Sequence, residues 1–236
     1  MSRLRGMLFH THASEHKAEI QAVRERWKME NIEFLHHMGL LSEKACLAHC
    51  IHINDHERSI LQQTKTNVSH CPTSNLKLGS GIADIPQLLS CGINVSLGAD
   101  GAPCNNTLNM FQEMRLASLL QKPFHGPEAM PARHVFEMAT MGGARALGLD
   151  HEVGSIEVGK KADIVLLDMK SISTPLHDEN VYSGIVYSAN SANVDSVMID
   201  GKWVYRKKRF VDLDEETLLL NAKEELKKLL GRAEFN

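Results

Sequence analysis

Four short strand-like runs, separated by helical patterns, constrain the fold of this chain more than any other feature. The strand-like runs are residues 7–11, 46–50, 67–71 and 94–98. The helical patterns are residues 17–37, 55–64, 85–90 and 108–121. Because strands that alternate with helices form parallel β-α units, the sequence predicts an α/β fold built on a parallel sheet. A closed (β/α)8 barrel has eight such units, so four correspond to half of one.

The pattern changes after Gly148, where a second kind of sheet is predicted. A strand-like run at residues 162–168 comes first. Two further runs, at residues 194–199 and 203–205, then flank the dipeptide Asp200-Gly201. Asp-Gly suits the type I′ turn of a two-residue hairpin, so these two runs are predicted to pair in antiparallel fashion.

Residues 214–232 close the chain with an amphipathic helical pattern that carries a leucine-rich stripe. The sequence therefore predicts that the chain has three parts. They are a half-barrel at residues 1–148, a small β-sandwich segment at 149–212 and a C-terminal helix at 213–236.

Composition and charge narrow the classes of function. The 236 residues carry a net charge of −3 with neutral histidines, which gives no basic field for nucleic-acid binding. The longest uncharged stretch, residues 85–99, contains Pro86 and Gly92 and is unsuited to span a membrane. The five cysteines are odd in number and lack a C-x-x-C pair, which predicts neither a disulfide framework nor a zinc ribbon. We therefore expect a cytoplasmic protein whose ligands are small molecules.

Each of the four strand-like runs ends at or beside an ionisable side chain. These side chains are His12, His49, His70 and Asp100. The carboxyl ends of parallel strands meet at one edge of a barrel, where active sites lie. Imidazole and carboxylate groups are ligands for zinc, and Glu15, three residues after His12, is placed to move a proton beside such a metal. The alternative interpretation of His10-x-His12, a hydrogen-bonded histidine pair on a buried strand, stays open from this segment alone.

Longer motifs at the same positions carry a family resemblance. The phrases are HASE (residues 12–15), AHCIH (48–52), VSHCPTSNLKLGSG (68–81), LGADGAPCNNTLNMFQEMRLASLLQK (97–122) and GSIEVGKKAD (154–163). Together they resemble the amidohydrolase superfamily, in the branch of adenosine-type deaminases, guanine deaminases and s-triazine hydrolases. Among these, the motifs are most similar to those of methylthioadenosine/S-adenosylhomocysteine deaminases.

The resemblance implies roles for particular residues. His12 and Asp100 would be metal ligands, and Asp100 would also handle a proton. Glu15 would relay a proton, and His49 would contact the reacting centre. One divalent ion is implied: zinc is the expected metal, and iron or manganese suit the same nitrogen and oxygen ligands.

Three other positions have less defined implied roles. His70 matches a histidine of the substrate-side loop after its strand, and Cys104 stands where related enzymes often have a serine near the substrate. Both are therefore candidate substrate-binding residues. His10 is expected to be a packing residue or to support a ligand, because three strands separate His12 from Asp100 where a complete barrel would need seven.

The resemblance also implies a fold with parts outside this chain. The four β-α units match strands five to eight of a TIM-type barrel, and the antiparallel strands match the C-terminal part of a small β-sandwich. The first four barrel strands, with an H-x-H pair that supplies two more metal ligands, would then come from a longer chain or from a second polypeptide. We expect either a homo-oligomer or assembly with such a complementary N-terminal half.

The implied function is the metal-dependent hydrolytic deamination of an aminated purine-type ring. Two alternatives remain: an s-triazine chlorohydrolase or aminohydrolase on the same scaffold, and a non-catalytic half that acts only after assembly. The exact substrate, the metal and the oligomeric state are not determined by the sequence.

Overall fold

The computed structural model of this chain describes residues 7–170 and 178–232. It divides the chain into two compact units. The first, called here the parallel-sheet unit, comprises Met1–Lys160 and Met169–Ser191, and the second, the antiparallel-sheet unit, comprises Lys161–Asp168 and Ala192–Asn236. The predicted boundaries after residues 148 and 212 stay predictions.

The parallel-sheet unit is built on four strands in sequential order. They are β1 (Phe9–Ala13), β2 (Ala45–His49), β3 (Asn67–His70) and β4 (Val95–Leu97). Each strand pairs in parallel with the next, which confirms the parallel β-α units predicted from the alternating pattern. Among the described residues β1 and β4 are the edge strands of this sheet.

Helices connect the strands and complete the unit. They are α1 (Lys17–Trp27), α2 (Asn31–His37), α3 (Asp55–Thr64), α4 (Pro72–Lys77), α5 (Ile85–Ser90), α6 (Ala102–Asn105), α7 (Met110–Leu119), α8 (Lys122–His125), α9 (Ala132–Glu137), α10 (Gly143–Ala146) and α11 (Val181–Ser183). Short π-helical segments at Met138–Gly142 and Gly184–Ser188 adjoin α9, α10 and α11, and 3-10 turns lie at Asp178–Asn180 and Ser191–Asn193.

The core of this unit lies between the sheet and its helices. Every residue of β2 is buried, as expected for a central parallel strand that is covered on both faces. Leu47 and Val68 of the sheet are fully buried, and Ile32 and Leu61 of the helices pack in the same cluster. In α7, Met114 is buried and its neighbours Met110 and Phe111 pack against this core, so the apolar side of this helix belongs to the core.

One detail of the helices differs from the prediction. The pattern over residues 17–37 forms two helices, because Lys28 adopts a left-handed conformation (φ 57°) and Glu30 then caps α2 through reciprocal bonds with Glu33. Asn54 is the N-cap of α3, and its side chain accepts a hydrogen bond from the Glu57 amide.

The antiparallel-sheet unit contains β5 (Ile164–Leu167), β6 (Val194–Ile199), β7 (Lys202–Arg206), β8 (Arg209–Phe210) and α12 (Glu215–Arg232). The four strands form one antiparallel sheet in the order β5-β6-β7-β8. Asp200 and Gly201 both have positive φ (49° and 76°), which confirms the predicted type I′ turn between β6 and β7.

Across residues 7–170 and 178–232, none of the helices is both long enough and apolar enough to cross a lipid bilayer.

Candidate metal centre

Three strand-end residues with metal-binding side chains meet at one point of the parallel sheet. His12 lies on β1, His49 ends β2, and Asp100 follows β4. One ligand atom from each of the three lies within 4.8 Å of the other two. The carboxyl edge of the sheet therefore brings together two imidazoles and a carboxylate that the sequence separates by 88 positions from His12 to Asp100.

The backbone leaves three of these strand ends in a left-handed conformation. Ser14, His49 and Asp100 have φ values of 54°, 73° and 59°. Positive φ is uncommon for residues other than glycine, and such residues are enriched at functional sites, where surrounding packing holds them. Ser14 and His49 are completely buried, so that packing is present here.

Hydrogen bonds hold Asp100 ionised in spite of its partial burial. Burial acts to raise the pKa of Asp100, but the Ser74 hydroxyl, which donates to Asp100 Oδ2 at 2.5 Å, and the Gly101 amide hold it below the ordinary value. His49 and His12 lower the pKa further. A carboxylate that stays charged beside two imidazoles is suited to hold a cation.

His49 uses its two ring nitrogens differently. The Nδ1–H group donates to Asn75 Oδ1 at 2.7 Å, since a carbonyl oxygen can only accept. The Nε2 atom is buried without a hydrogen-bond partner among the described residues, and it lies 3.6 Å from Glu15 Oε2. Nitrogen Nε2 is therefore the ring atom of His49 whose bonding capacity is unused among the described residues.

Glu15 is held beside this nitrogen by two further contacts. Ser80 Oγ donates to Glu15 Oε1 at 3.2 Å, and His16 Nε2 lies 3.2 Å from the same oxygen. The Glu15 amide donates to the Glu19 carboxylate, so the backbone at this position is also fixed. The carboxylate is thus oriented towards His49 with only 13% of its side-chain surface exposed.

His70 is the last residue of β3, which confirms its predicted position at the end of this strand. Both ring nitrogens are buried without a partner among the described residues. Burial, together with the nearby His49, lowers the pKa of His70 to about 3, so the ring is neutral at pH 7. Cys104 is half-buried in α6. A substrate-binding role for either residue stays a prediction.

His10 is not one of the three donors that lie together. Its Nδ1–H donates to the carbonyl oxygen of Cys46 on the neighbouring strand at 2.9 Å. The structure therefore places His10 in a bond that ties β1 to β2.

Three residues that hold the site were not singled out from the sequence. Ser74, Asn75 and Ser80 all fall in the VSHCPTSNLKLGSG phrase. Their side chains contact Asp100, His49 and Glu15, respectively. The polar run after β3 was the available signal, because small polar residues directly after a strand with a terminal histidine are placed to support neighbouring strand ends.

Comparison with known proteins identifies the class. The model of the amidohydrolase family matches residues 1–204. The chain belongs to this family. It is 42% identical over 223 residues to the 5-methylthioadenosine/S-adenosylhomocysteine deaminase of Desulforudis audaxviator, a match that covers 94% of this chain and 51% of the relative.

Solved structures show the same fold. A zinc-bound adenosine deaminase from Xanthomonas campestris superimposes with a TM-score of 0.92 at 33% identity, over 95% of this chain and 51% of that one. A zinc-bound atrazine chlorohydrolase from Arthrobacter aurescens superimposes with a TM-score of 0.86 at 26% identity, over 93% and 49%. The chain thus spans about half the length of the relatives it matches.

Proposed function

We propose that this chain contributes the carboxyl-edge half of the active site of a metal-dependent hydrolase that deaminates adenosine-like purines. The observation that carries the proposal is the group formed by His12, His49 and Asp100, with ligand atoms within 4.8 Å of one another. The similarity to a deaminase of methylthioadenosine and S-adenosylhomocysteine supports the substrate class.

The residues fit a divalent metal ion, for which zinc is the proposed identity. His12 offers an imidazole nitrogen and Asp100 a carboxylate oxygen, which are donors of the kind that zinc accepts, and the His49 imidazole lies beside them. The partnerless, buried Nε2 atom of His49 supports a ligand or substrate at this point, since a buried polar atom without a partner is otherwise costly. The chemistry that such an ion supplies is the activation of water, whose pKa falls from about 16 towards 7 on coordination.

The chain's own residues then have distinct tasks in the proposal. His12 and Asp100 hold the metal, and Asp100 accepts a proton from the water that attacks the amino-bearing carbon. Glu15 delivers a proton to the ring nitrogen, and His49 Nε2 faces the reacting carbon. The water oxygen bonds to the amino-bearing carbon as the ring nitrogen takes the Glu15 proton. The bond from this carbon to the amino group then breaks: the amino group takes the proton held by Asp100 and leaves as ammonia. The new hydroxyl returns its proton to Glu15, so the net change is replacement of an amino group by a carbonyl oxygen.

The second half of a TIM-type barrel and part of a β-sandwich remain the proposed architecture. The order β1-β2-β3-β4 leaves two edge strands that could pair with further strands. In the proposal, additional strands complete the barrel and bring two more histidine ligands. Native mass spectrometry of the purified protein, combined with metal analysis, tests whether additional strands complete the barrel. A metal-loaded assembly, or a metal-loaded longer chain, supports the proposal. A metal-free monomer contradicts it.

Measurement of bound zinc distinguishes the proposed roles of His12 and His49. We expect His12→Gln to lose most of the bound zinc, while His49→Gln keeps it and loses activity. His134→Gln, which alters an exposed histidine of α9, is the matched control and should retain both. Equal metal loss in the two site variants would instead make His49 a ligand.

Activity of the metal-loaded assembly with a completed barrel is tested by ammonia release from a substrate panel. Methylthioadenosine, S-adenosylhomocysteine and adenosine should be deaminated, whereas guanine and atrazine should react far more slowly. Glu15→Gln should lower kcat by about 10²–10⁴-fold with metal content nearly unchanged, as expected for the loss of a general acid–base group. Glu43→Gln changes an exposed carboxylate outside the site and should leave kcat unchanged. Preferential turnover of atrazine would favour the triazine hydrolase alternative.

A further inference from the structure

A short polar segment after β3 contacts three residues of the site, although it contains none of the proposed ligands. Helix α4 (Pro72–Lys77) carries Ser74 and Asn75, and Ser80 follows it. Ser74 Oγ donates to Asp100 Oδ2 at 2.5 Å, and Asn75 Oδ1 accepts from His49 Nδ1 at 2.7 Å. The two bonds come from adjacent residues and reach the ends of two different strands.

We propose that Ser74 and Asn75 form a positioning pair, which fixes the carboxylate of Asp100 and the proton of His49 for the reaction. This inference rests on the proposed function for its catalytic consequence. Its structural part, the placement of the His49 proton on Nδ1, does not depend on that function.

Asn75 determines which nitrogen of His49 exchanges a proton. Because Oδ1 can only accept, Nδ1 must carry hydrogen whether the ring is neutral or charged. Any proton that His49 gives or takes therefore passes through Nε2, the nitrogen 3.6 Å from Glu15 Oε2. A side chain that orients the far nitrogen of a site histidine is a known means of fixing both its tautomer and the plane of its ring.

The burial of Asn75 argues against a role in stability alone. The residue is 1% exposed, and its Nδ2 group has no hydrogen-bond partner among the described residues. A buried donor without a partner costs about 1–3 kcal/mol, so an apolar residue of similar size would suit a purely structural position better. The bond to His49 is the one polar contact by which the Asn75 side chain offsets that cost within the described structure.

The helix that carries the pair is itself fixed. Glu113, on α7, is completely buried, and its carboxylate accepts hydrogen bonds from both the amide and the hydroxyl of Thr73. It also accepts a bond from Asn105 of α6, so the segments on either side of Asp100 share one anchor. Positioning groups act best from rigid supports, because small displacements of catalytic groups lower the rate strongly.

The test combines a spectroscopic readout with kinetics. In protein labelled with ¹⁵N-histidine, the His49 ring signals, assigned by their loss in His49→Gln, should show hydrogen on Nδ1. Asn75→Leu should shift the ring towards a mixture of tautomers, and Asn75→Asp, which keeps an acceptor oxygen, should restore the Nδ1–H form. Asn67→Leu is the matched control: Asn67 is a buried asparagine at the opposite end of β3, where it bonds to backbone carbonyls of Glu43 and Ala45.

The kinetic expectation is a loss in kcat rather than in KM. Asn75→Leu and Ser74→Ala should each lower kcat by about 10–100-fold, the usual effect of removing a residue that orients a metal ligand or its neighbour. Ser74→Thr, which keeps the hydroxyl, should recover most of that loss, and Asn67→Leu should change stability without changing kcat.

The proposal is overturned if Asn75→Leu leaves both the His49 tautomer and kcat as they are in Asn67→Leu. If Asn75→Leu does not fold, Asn75→Gln, which keeps the amide but displaces its oxygen, decides by the same two readouts. A metal-loaded assembly with a completed barrel that deaminates nothing on the panel refutes the proposed function, whereas the tautomer measurement still decides whether Asn75 positions His49.

Discussion

The two units of the chain distribute their polar and apolar side chains in opposite ways. The parallel-sheet unit buries polar groups such as His49, His70 and Glu113 within a continuous apolar core. In the described part of the antiparallel-sheet unit, no apolar side chain is buried, and only Asn193 and Ser196 are. A packed core can hold a strained, partly unsatisfied polar site, whereas a sheet without a core depends on its turns and backbone hydrogen bonds.

The exposed leucines of α12 are the clearest feature of the second unit. Leu218, Leu219, Leu226 and Leu229 each expose 52–56% of their surface. The amphipathic pattern predicted this helix and its stripe, but the described residues provide no cover for the stripe. The difference between the units can therefore be tested by measuring how much a leucine in each unit contributes to the free energy of unfolding.

The largest expected contrast is between a buried and an exposed leucine. Leu61→Ala in α3 should lower the free energy of unfolding by about 2–5 kcal/mol, because Leu61 is completely buried and its loss leaves a cavity. Leu226→Ala, at 54% exposure, should change it by less than about 0.5 kcal/mol.

The two tryptophans allow each unit to be followed separately by fluorescence during urea unfolding. Trp27 reports on the parallel-sheet unit once Trp203 is replaced by Phe, and Trp203 reports on the other unit in Trp27→Phe. A loss of several kcal/mol for Leu226→Ala would show that the stripe of α12 is covered in the protein in solution.

A smaller effect is expected from a single methyl group at the sheet. A Cβ atom at Gly142 would lie 2.7 Å from the Val95 carbonyl oxygen of β4 and 3.2 Å from that of Glu137. Neither atom can move without disturbing backbone structure, so Gly142→Ala should destabilise the parallel-sheet unit by about 1–3 kcal/mol.

The neighbouring glycine provides the control for this effect. A Cβ atom at Gly143 meets nothing within 4 Å, and Gly143→Ala in α10 should stabilise the protein by about 0.4–1 kcal/mol. Thermal or urea unfolding followed by Trp27 fluorescence measures both variants. If Gly142→Ala and Gly143→Ala changed the free energy of unfolding by similar amounts, β4 and its neighbouring helix would be able to move apart. The parallel-sheet unit would then be less closely packed at this point than the contacts of Gly142 indicate.

The parts of this fold that the sequence predicted are those set by local patterns. Alternating strand and helix patterns predicted the parallel strands, and Asp200-Gly201 predicted the hairpin because its turn requires positive φ at both residues. The strand-end positions of His12, His49 and Asp100 followed from the same patterns, since parallel strands place their carboxyl ends on one edge.

The side-chain network around the site depends on contacts that no local pattern contains. His49 and Asn75 are 26 positions apart, and Thr73 and Glu113 are 40 apart. Which polar group after β3 reaches which strand end is decided by the path of the loop and the packing of α4, which are tertiary properties. The same holds for His70, whose burial without a partner follows from its place in the sheet and not from its neighbours in sequence.

The smallest expected effects concern two carboxyl groups near helix N-termini, one in each unit. Burial raises the pKa of Glu57 at the start of α3, although the amides of Asn54 and Ile32 donate to its carboxylate and act to lower it. The pKa of Asp214, at the start of α12, is lowered because the Thr217 hydroxyl and amide donate to it in a fully exposed position. The two groups should therefore make stability depend on pH in opposite directions.

The sign follows from which state binds more protons. The folded protein holds the Glu57 proton more tightly than the unfolded chain, so the contribution of Glu57 is present below its ordinary value of 4.5 and is lost as pH rises through the raised pKa. The folded protein holds the Asp214 proton less tightly, so that contribution is present above 3.8 and is lost as pH falls through the lowered pKa. Carboxyl ¹³C titration, with Glu57→Gln and Asp214→Asn to assign the signals, should give midpoints on opposite sides of the ordinary values. A midpoint for Glu57 at or below 4.5 would mean that water reaches its carboxylate, and the contrast between a packed unit and an exposed one would then fail at α3.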